Sequence, residues 1–307
     1  MRAITYAQYG DPSVLTLTDQ PEPRVGPDEV LVRVRSASVN PVDWKVMAGH
    51  LDGLMTVHFP VIAGWDVSGV VERVGLDAPE FAVGDEVIAY ARKDWVQAGT
   101  FAELVSVSVR ALARKPRTLD WDQAAGLPLA GLTAHQLLTR LGAGEGDTVL
   151  VHAASGGVGS MAVQLAVARG ARVIGTASQV NHDALRALGA EPVEYGDGLV
   201  DRVRALAPDG VDVVVDFVGG VLEATLAVLA DGGRHGSVAD GSVSASGGIY
   251  AWVRPSSADL QALADLADSG RLTVPVAATF PLEGVADAFG SSMTGHVSGK
   301  IAIQVSR

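Results

Sequence analysis

Three small residues, Ala154, Gly156 and Gly159, have the spacing at which a backbone turn holds two phosphate groups. They occupy the three glycine positions of the pattern G-x-G-x-x-G, with alanine in the first, and Gly157 adds another residue without a side chain. Such a turn brings backbone N–H groups close to a pyrophosphate, and the positive end of the following helix favours its negative charge. Because a glycine turn can also serve packing alone, the flanking elements decide between the two interpretations.

The residues on either side of the turn predict a unit of strand, turn, helix and strand. Val149 to Ala153 form a short apolar run, typical of a strand that is buried in a parallel sheet. A helix is predicted to begin at Gly157 and to stop at Gly170, and Ala171 to Ala177 predict the next strand. The complete unit favours dinucleotide binding. The pyrophosphate contacts predicted in the turn are Ser155, Gly156, Gly157 and Val158.

The end of the second strand indicates which dinucleotide binds. About twenty residues past the glycines, an NAD site places Asp or Glu on the ribose 2′-hydroxyl, but this chain has Thr176, Ala177 and Ser178 there. Ser178 can donate a hydrogen bond to a 2′-phosphate, and no carboxylate repels it. Further donors start the next helix: Asn181, His182 and Arg186. NADPH is therefore the predicted cofactor, although Asp183 counts against it and Ser178 can instead cap the helix over 181–188.

Length and composition narrow the class of protein. The 307 residues suit two domains, and 23 Lys and Arg against 35 Asp and Glu give a net charge of −12. This acidic balance argues against nucleic-acid binding, which needs a basic face. The absence of cysteine excludes disulfides, thiol nucleophiles and cysteine-containing zinc sites. Because the sequence has neither a secretion signal nor an apolar run of about 18 residues, we expect a cytoplasmic protein that is not inserted in a membrane.

Two kinds of pattern along the chain predict an α/β protein with two types of domain. Short β-rich runs separated by turns predict a compact β-barrel-like domain: Glu29–Ser38, Val67–Val74, Glu86–Tyr90 and Phe101–Val107. From Trp121 strands and helices alternate, which predicts a doubly wound parallel sheet. After Pro255 the alternation stops. The predicted domains are 1–118, 119–254 and 255–307, the last returning to the first domain.

Segments spread over the whole chain resemble the quinone oxidoreductase (zeta-crystallin-like) group of zinc-independent medium-chain dehydrogenases/reductases. They are VNPVDWK (39–45), AGWDVSGVVERVG (63–75), VGDEV (83–87), LPLAGLTAHQLL (127–138), HAASGGVG (152–159), DFVGG (216–220) and GHVSGKIAI (295–303). The resemblance implies a chaperonin-10-like β-barrel catalytic domain and a Rossmann domain, with the active cleft between them.

Departures from the zinc-dependent relatives of this group imply a reaction without a metal. Those relatives have a ligand Cys near the position of Asp43 and a ligand His within a G-H-E motif, where this chain has Gly64, Trp65 and Asp66. Without a Lewis acid, the expected hydride acceptors are already electrophilic, such as quinones and enones. Hydride addition to the β-carbon of an enone leaves an enolate, which a hydrogen-bond donor near its oxygen stabilises.

The resemblance also implies roles for individual residues. Asn40 is similar to an asparagine beside the nicotinamide and the substrate, and Lys45 to a lysine that reaches the nicotinamide ribose, so these two are the predicted catalytic residues. Thr133 is similar to a threonine that contacts the nicotinamide end, and Tyr195 to a tyrosine near the adenosine 2′-phosphate. The structural alternatives are a turn residue before Pro41, a solvated lysine, a residue at a helix N-terminus and a surface aromatic.

Three further residues follow predicted strands whose C-terminal ends face the ligand crevice of such sheets, although packing at a strand end is the alternative. They are Val218, Val238 and Ala239. No proton donor is assigned, because several titratable groups in the first domain, and solvent as well, can supply a proton. They are Lys45, His50, His58 and Tyr90.

The predicted function is the NADPH-dependent reduction of a small-molecule quinone or of the C=C bond of an α,β-unsaturated carbonyl. Two alternatives stay open: an enoyl-thioester reductase and a non-catalytic NADPH-binding sensor. Gly248 to Trp252 predicts the last strand of the Rossmann sheet, and the resemblance implies that it pairs with its copy in a homodimer.

Overall fold

A computed structural model describes residues 1–306, which form two compact units. The first unit consists of Met1–Leu132 and the segment that begins at Pro255, and the second is Thr133–Arg254. The first unit extends past residue 118, the boundary expected from the sequence, because the helix Trp121–Gly126 packs against its strands.

The secondary-structure elements are numbered in chain order. The strands are β1 (Arg2–Tyr6), β2 (Thr16–Asp19), β3 (Glu29–Val39), β4 (Thr56–Val57), β5 (Val61–Ile62), β6 (Asp66–Val74), β7 (Glu86–Tyr90), β8 (Trp95–Val96), β9 (Leu104–Ser108), β10 (Leu112–Arg114), β11 (Thr148–Val151), β12 (Arg172–Thr176), β13 (Ala190–Val193), β14 (Val211–Asp216), β15 (Leu229–Ser237), β16 (Ile249–Tyr250), β17 (Val276–Pro281) and β18 (Lys300–Gln304). The α-helices are α1 (Pro41–Met47), α2 (Trp121–Gly126), α3 (Pro128–Arg140), α4 (Gly157–Ala168), α5 (His182–Ala187), α6 (Leu199–Leu206), α7 (Leu222–Val228), α8 (Ser257–Asp268) and α9 (Val285–Met293).

The main sheet of the first unit has the strand order β10-β7-β6-β3-β18-β17, and β9 also pairs with β3. Strand β3 is central to it, because it pairs antiparallel with β6, β9 and β18. Its apolar side chains are almost wholly buried, as a strand with partners on both sides requires. The strands predicted over 29–38, 67–74 and 86–90 are confirmed, and the first unit is the expected β domain.

The second unit is built on a parallel sheet with the strand order β13-β12-β11-β14-β15-β16. The predicted doubly wound fold is confirmed. Strands β11 and β14 lie in the middle, and their valine-rich residues are buried. The strand order reverses at β11, since β12 lies on one side of it and β14 on the other. Ligands bind beyond the carboxyl ends of the strands at such a point.

Element boundaries differ from the predictions at a few places. Helix α3 begins at Pro128, because proline suits the first turn of a helix, where its missing N–H is not needed. The strand predicted over 101–107 is observed as Leu104–Ser108, and that predicted over 248–252 is only Ile249–Tyr250. No helix within residues 1–306 combines the length and apolarity needed to cross a membrane.

Candidate functional site

The glycine turn lies between β11 and α4, at the point where the strand order of the second unit reverses. Helix α4 begins at Gly157 as predicted, and Gly156 precedes it without a side chain to cap the first turn. The first N–H groups of a helix have no acceptor within it and are available to a ligand. A Cβ atom at Gly159 would collide with the carbonyl oxygen of Ala153, which itself has a φ of +52°. The turn is therefore too tight for a side chain at Gly159.

The alanine in the first position of the pattern is accommodated by the neighbouring strand. Ala154 is fully buried. A Cβ atom added at Gly175 in β12 would lie only 2.8 Å from the Cβ atom of Ala154. Because Gly175 has no side chain, strand and turn pack closely despite the extra methyl group of Ala154.

Two serine hydroxyls are joined by one amide at the edge of this turn. Asn181 Nδ2 donates to Ser178 Oγ at 3.1 Å and to Ser155 Oγ at 3.3 Å. Ser155 belongs to the turn and Ser178 follows β12, so Asn181 links the two places predicted to bind phosphate. Ser178 makes no capping hydrogen bond with its side chain, so the alternative interpretation of this residue is not observed.

The pairing of β12 with β13 places Ser178 and Tyr195 just beyond the carboxyl ends of two neighbouring strands. Thr176 lies opposite Val193 in the parallel register. Ser178 lies two residues after Thr176, and Tyr195 lies two residues after Val193. The Tyr195 ring is 56% exposed, and Arg202 Nε donates to the carbonyl of Glu194 at 3.0 Å, which holds the loop that carries the ring. The predicted Ser178 and Tyr195 therefore follow adjacent strand ends at this edge of the sheet.

The remaining groups at this edge have local partners. His182 Nε2 lies 3.4 Å from the carbonyl oxygen of Ala177, and a cavity of about 400 Å³ opens beside it. The side chain of Asp183, the residue that counted against NADPH, is almost fully exposed. It forms a salt bridge with Arg186 at 2.6 Å. The Arg186 guanidinium is therefore engaged by Asp183.

The other half of the crevice is formed by the ends of β14 and β15. Val218 follows β14 and is 57% exposed, whereas Val238 is half-buried and Ala239 exposed after β15. Thr133 is buried in the interior of α3, so its alternative role at a helix N-terminus is wrong.

A buried polar cluster occupies the first unit around the predicted catalytic Asn40. Asn40 Nδ2 donates to Asp66 Oδ2 at 2.9 Å, and Lys300 Nζ donates to Asn40 Oδ1 at 2.5 Å. The Asn40 N–H donates to Asp43 Oδ2 at 2.7 Å. The four side chains are each at most 5% exposed. Both ends of the Asn40 amide are therefore used within the protein, and Lys300, which sequence reasoning missed, completes the cluster.

Burial dominates the electrostatics of this cluster. Burial, assisted by the nearby Asp66 charge and opposed by the Asn40 N–H and the Lys300 charge, raises the pKa of Asp43 to about 8. Burial also raises the pKa of Asp66 and lowers the pKa of Lys300. The attraction between the two opposite charges acts against both shifts. Asp43 Oδ1 has no hydrogen-bond partner, and Asp43 lines a cavity of about 10 Å³, which has room for one water molecule.

The other candidates in the first unit lie apart from this cluster. Lys45 is exposed on α1, and its ammonium lies 5.6 Å from the centre of the Trp44 ring. His50 and His58 are exposed. Tyr90 is buried edge-to-face against Trp65, and burial raises its pKa. Of the four proposed acids, only Tyr90 is shielded from solvent.

The residues do not fit a catalytic zinc. Among residues 1–306 no group of three or more His, Asp or Glu side chains is arranged to hold a metal ion. At the place of the G-H-E motif the Trp65 ring is buried, and Asp66 already binds Asn40 and the Leu129 N–H. A catalytic zinc needs three converging protein ligands, with water or substrate in the fourth position, and these side chains do not supply them.

Two family descriptions match most of the chain. Residues 26–117 match the alcohol dehydrogenase GroES-like domain, and residues 188–303 match the family described as zinc-binding dehydrogenase. The matches fall on the β unit and on the end of the second unit with the return segment, respectively.

Full-length similarity extends to named proteins. The chain is 35% identical to the chloroplastic NADPH-dependent alkenal/one oxidoreductase of Arabidopsis thaliana, over 99% of this chain and 79% of that protein. Its structure is similar to the quinone oxidoreductase of Coxiella burnetii (33% identity, TM-score 0.87, covering 100% and 99% of the chains). It is also similar to an NAD-dependent alcohol dehydrogenase (33% identity, TM-score 0.90, covering both chains fully).

Proposed function

The chain belongs to the medium-chain dehydrogenase/reductase family, in its quinone oxidoreductase group, and from this we propose that it reduces quinones or α,β-unsaturated carbonyls with NADPH. The observation that supports NADPH as the cofactor is the set of side chains at the end of β12. It presents a serine hydroxyl held by Asn181, and it lacks the carboxylate that an NAD site uses there. The relatives named for alkenal/one and quinone reduction support the acceptor.

The second unit supplies the groups that hold the cofactor. We assign the pyrophosphate to the turn and the start of α4, through Ser155, Gly156, Gly157 and Val158. The 2′-phosphate lies at the end of β12, where Ser178, His182 and Tyr195 are the proposed contacts. Thr133, Val218, Val238 and Ala239 are assigned to the nicotinamide half. When bound, NADPH supplies the hydride.

Of the two residues predicted to be catalytic in the first unit, we propose that Lys45 contacts the substrate and that Asn40 is a positioning residue. The Asn40 amide is bound by Lys300 and Asp66, so its role is to fix the start of α1 rather than to exchange partners during the reaction. Lys45 is exposed one helical turn later and can donate to a ligand oxygen. A donor near the enolate or quinol oxygen stabilises the charge that hydride addition creates there.

We also propose a cytoplasmic homodimer. Strand β16 is the last of its sheet, so one of its edges lacks a partner strand within residues 1–306. Tyr250 and Trp252 beside this edge are 46% and 40% exposed. An exposed apolar edge strand favours pairing with a second copy.

The experiment that tests the function is NADPH oxidation in the presence of a panel of quinones, enones and an enoyl thioester. Turnover with quinones or enones is the expected result. Turnover confined to the enoyl thioester would replace the proposal by the first alternative. NADPH binding without turnover on any acceptor would replace it by the sensor.

A further inference from the structure

One buried carboxylate fastens the loop that follows β14. Asp216 is the last residue of that strand and is 4% exposed. Its Oδ1 accepts the N–H groups of Val218 at 2.8 Å and Gly219 at 2.9 Å. Gly219 has a φ of +83°, so the chain turns sharply directly after the exposed Val218. The backbone of this loop is therefore fixed from its inner side.

The same carboxylate reaches the loop after β15 through a serine. Ser237 ends β15 directly opposite Asp216 in the sheet and is fully buried. Its hydroxyl donates to Asp216 Oδ2 at 2.6 Å and accepts the N–H groups of Ala239 at 3.0 Å and Asp240 at 2.9 Å. The Val238 N–H in turn donates to the carbonyl oxygen of Asp216 at 3.1 Å. Two neighbouring loops thus share one anchor.

The chemistry of this anchor requires a carboxylate. Every group that approaches the Asp216 oxygens is a donor, and a carboxylate only accepts hydrogen bonds. An asparagine of the same shape would turn an NH₂ group either toward two backbone N–H groups or toward the Ser237 hydroxyl. A buried donor without an acceptor is strongly unfavourable, so the loops would move.

The two loops lie on the nicotinamide side of the sheet. The pyrophosphate is assigned to the turn after β11 and the 2′-phosphate to the end of β12, so the rest of the dinucleotide extends over β14 and β15, on the opposite side of β11. Val218, Val238 and Ala239, the predicted contacts, are the residues whose backbone this anchor fixes.

We infer that Asp216 is a positioning residue for the nicotinamide half of the cofactor, acting through Ser237 on the second loop. This inference rests on the proposed NADPH site. It differs from a purely structural role in one respect: loss of the anchor weakens one half of the dinucleotide site and leaves the adenosine half intact.

The experiment compares Asp216→Asn with Asp212→Asn, a matched control in the same strand. Asp212 also accepts a backbone N–H, from Thr148 at 2.8 Å, but at the start of β14, away from the cofactor edge. Binding of NADPH and of 2′,5′-ADP, which carries only the adenosine half, is measured by titration calorimetry. For Asp216→Asn we expect NADPH to bind more than about tenfold more weakly and 2′,5′-ADP to bind as in the wild type. Asp212→Asn leaves both affinities unchanged.

Unchanged NADPH binding in Asp216→Asn, or an equal loss for both ligands, would overturn the inference. If Asp216→Asn does not fold, as judged by circular dichroism, Ser237→Ala carries the test, because it frees only the loop after β15 and is expected to change the two affinities in the same unequal way. Failure of the wild type to bind 2′,5′-ADP would instead contradict the proposed NADPH site.

Discussion

Lys300 Nζ lies 2.5 Å from Asn40 Oδ1, so a cation from the last strand of the first unit fixes the amide of a predicted catalytic residue. The same ammonium lies 3.7 Å from Asp66 Oδ2, and both charged side chains are buried. Removing one member of such a group leaves the opposite charge buried without compensation, which is more damaging than losing the pair together.

Lys300→Met is therefore expected to lower the free energy of unfolding by about 3–5 kcal/mol. Denaturant unfolding measures it, and Lys45→Met, which removes an exposed lysine, is the control with little effect on stability. The double variant Asp66→Asn with Lys300→Met should be more stable than Lys300→Met alone. A Lys300→Met protein as stable as the control would show that the buried cluster contributes nothing.

The pKa of Asp43 predicts how the free energy of unfolding depends on pH. Its pKa of about 8 in the folded protein is above the value of about 3.9 for an unfolded chain, so the folded state binds more protons between these values. Stability from this group is present at low pH and is lost as the pH rises from about 4 to 8. Two charged groups face Asp43: the Asp66 carboxylate raises the pKa of Asp43, and the Lys300 ammonium lowers it.

Asp43→Asn should flatten this decline, because an amide does not ionise. The measurement is the free energy of unfolding at a series of pH values, with Asp94→Asn, on a 94% exposed side chain, as the control that keeps the wild-type slope. If the wild type and Asp43→Asn show the same slope between pH 4 and 8, Asp43 does not retain its proton in the folded protein.

Asn181 is expected to control the choice between NADPH and NADH. Its Nδ2 donates to the Oγ atoms of Ser155 and Ser178, so the Asn181 amide takes up neither of their hydroxyl hydrogens. In Asn181→Asp a carboxylate would accept those hydrogens and would repel the 2′-phosphate. We expect NADPH affinity to fall more than about tenfold and NADH affinity to fall less, by fluorescence titration.

Ser178→Ala is the companion variant, because it removes one hydroxyl without adding charge. It should weaken NADPH and leave NADH unchanged. Equal losses for both cofactors in both variants would mean that this end of β12 does not contact the 2′-phosphate.

Gly159→Ala tests the tightness of the turn. The new Cβ atom would collide with the Ala153 carbonyl, so the turn must open and NADPH binding should be lost. Gly290→Ala in α9 is the control, because nothing lies within 4 Å of the position of its Cβ. That substitution should stabilise the protein by roughly 0.5–1 kcal/mol, since alanine favours a helix over glycine. Unaltered NADPH affinity in Gly159→Ala would exclude this turn as the pyrophosphate site.

Edge pairing through β16 is tested with Tyr250→Lys. A charge on an edge strand opposes pairing with another strand, so a dimeric wild type should become monomeric in light scattering. Val180→Lys is the control and should remain dimeric. Val180 is 87% exposed and follows β12, near the other end of the sheet from β16. A monomeric wild type would end the proposal of a homodimer.

The elements of the second unit were predictable because local signals agree with the fold. Strand β11, the start of α4 and the stop at Gly170 follow from apolar periodicity and glycine alone, over a few consecutive residues. The pairing of β12 with β13, the strands that end just before Ser178 and Tyr195, follows from the same alternation.

The polar anchors were not predictable in the same way. Lys300 contacts Asn40 across 260 residues of sequence, and the only signal is a charged residue at the start of an otherwise apolar strand. Asp216 falls within the DFVGG segment, but its hydrogen bond with Ser237 depends on the register of two strands. Likewise, the sequence does not reveal that the Asn40 amide is already occupied.

The position of β18 has a consequence for synthesis of the chain. This strand lies between β3 and β17, so the main sheet of the first unit has a gap until residue 304 is available. Thr133–Arg254 is contiguous and can fold while the chain is still on the ribosome, whereas β3 waits with one edge open. Until β18 is synthesised, the edge of β3 that it covers therefore has no partner strand, and such an unpaired edge favours pairing with other chains.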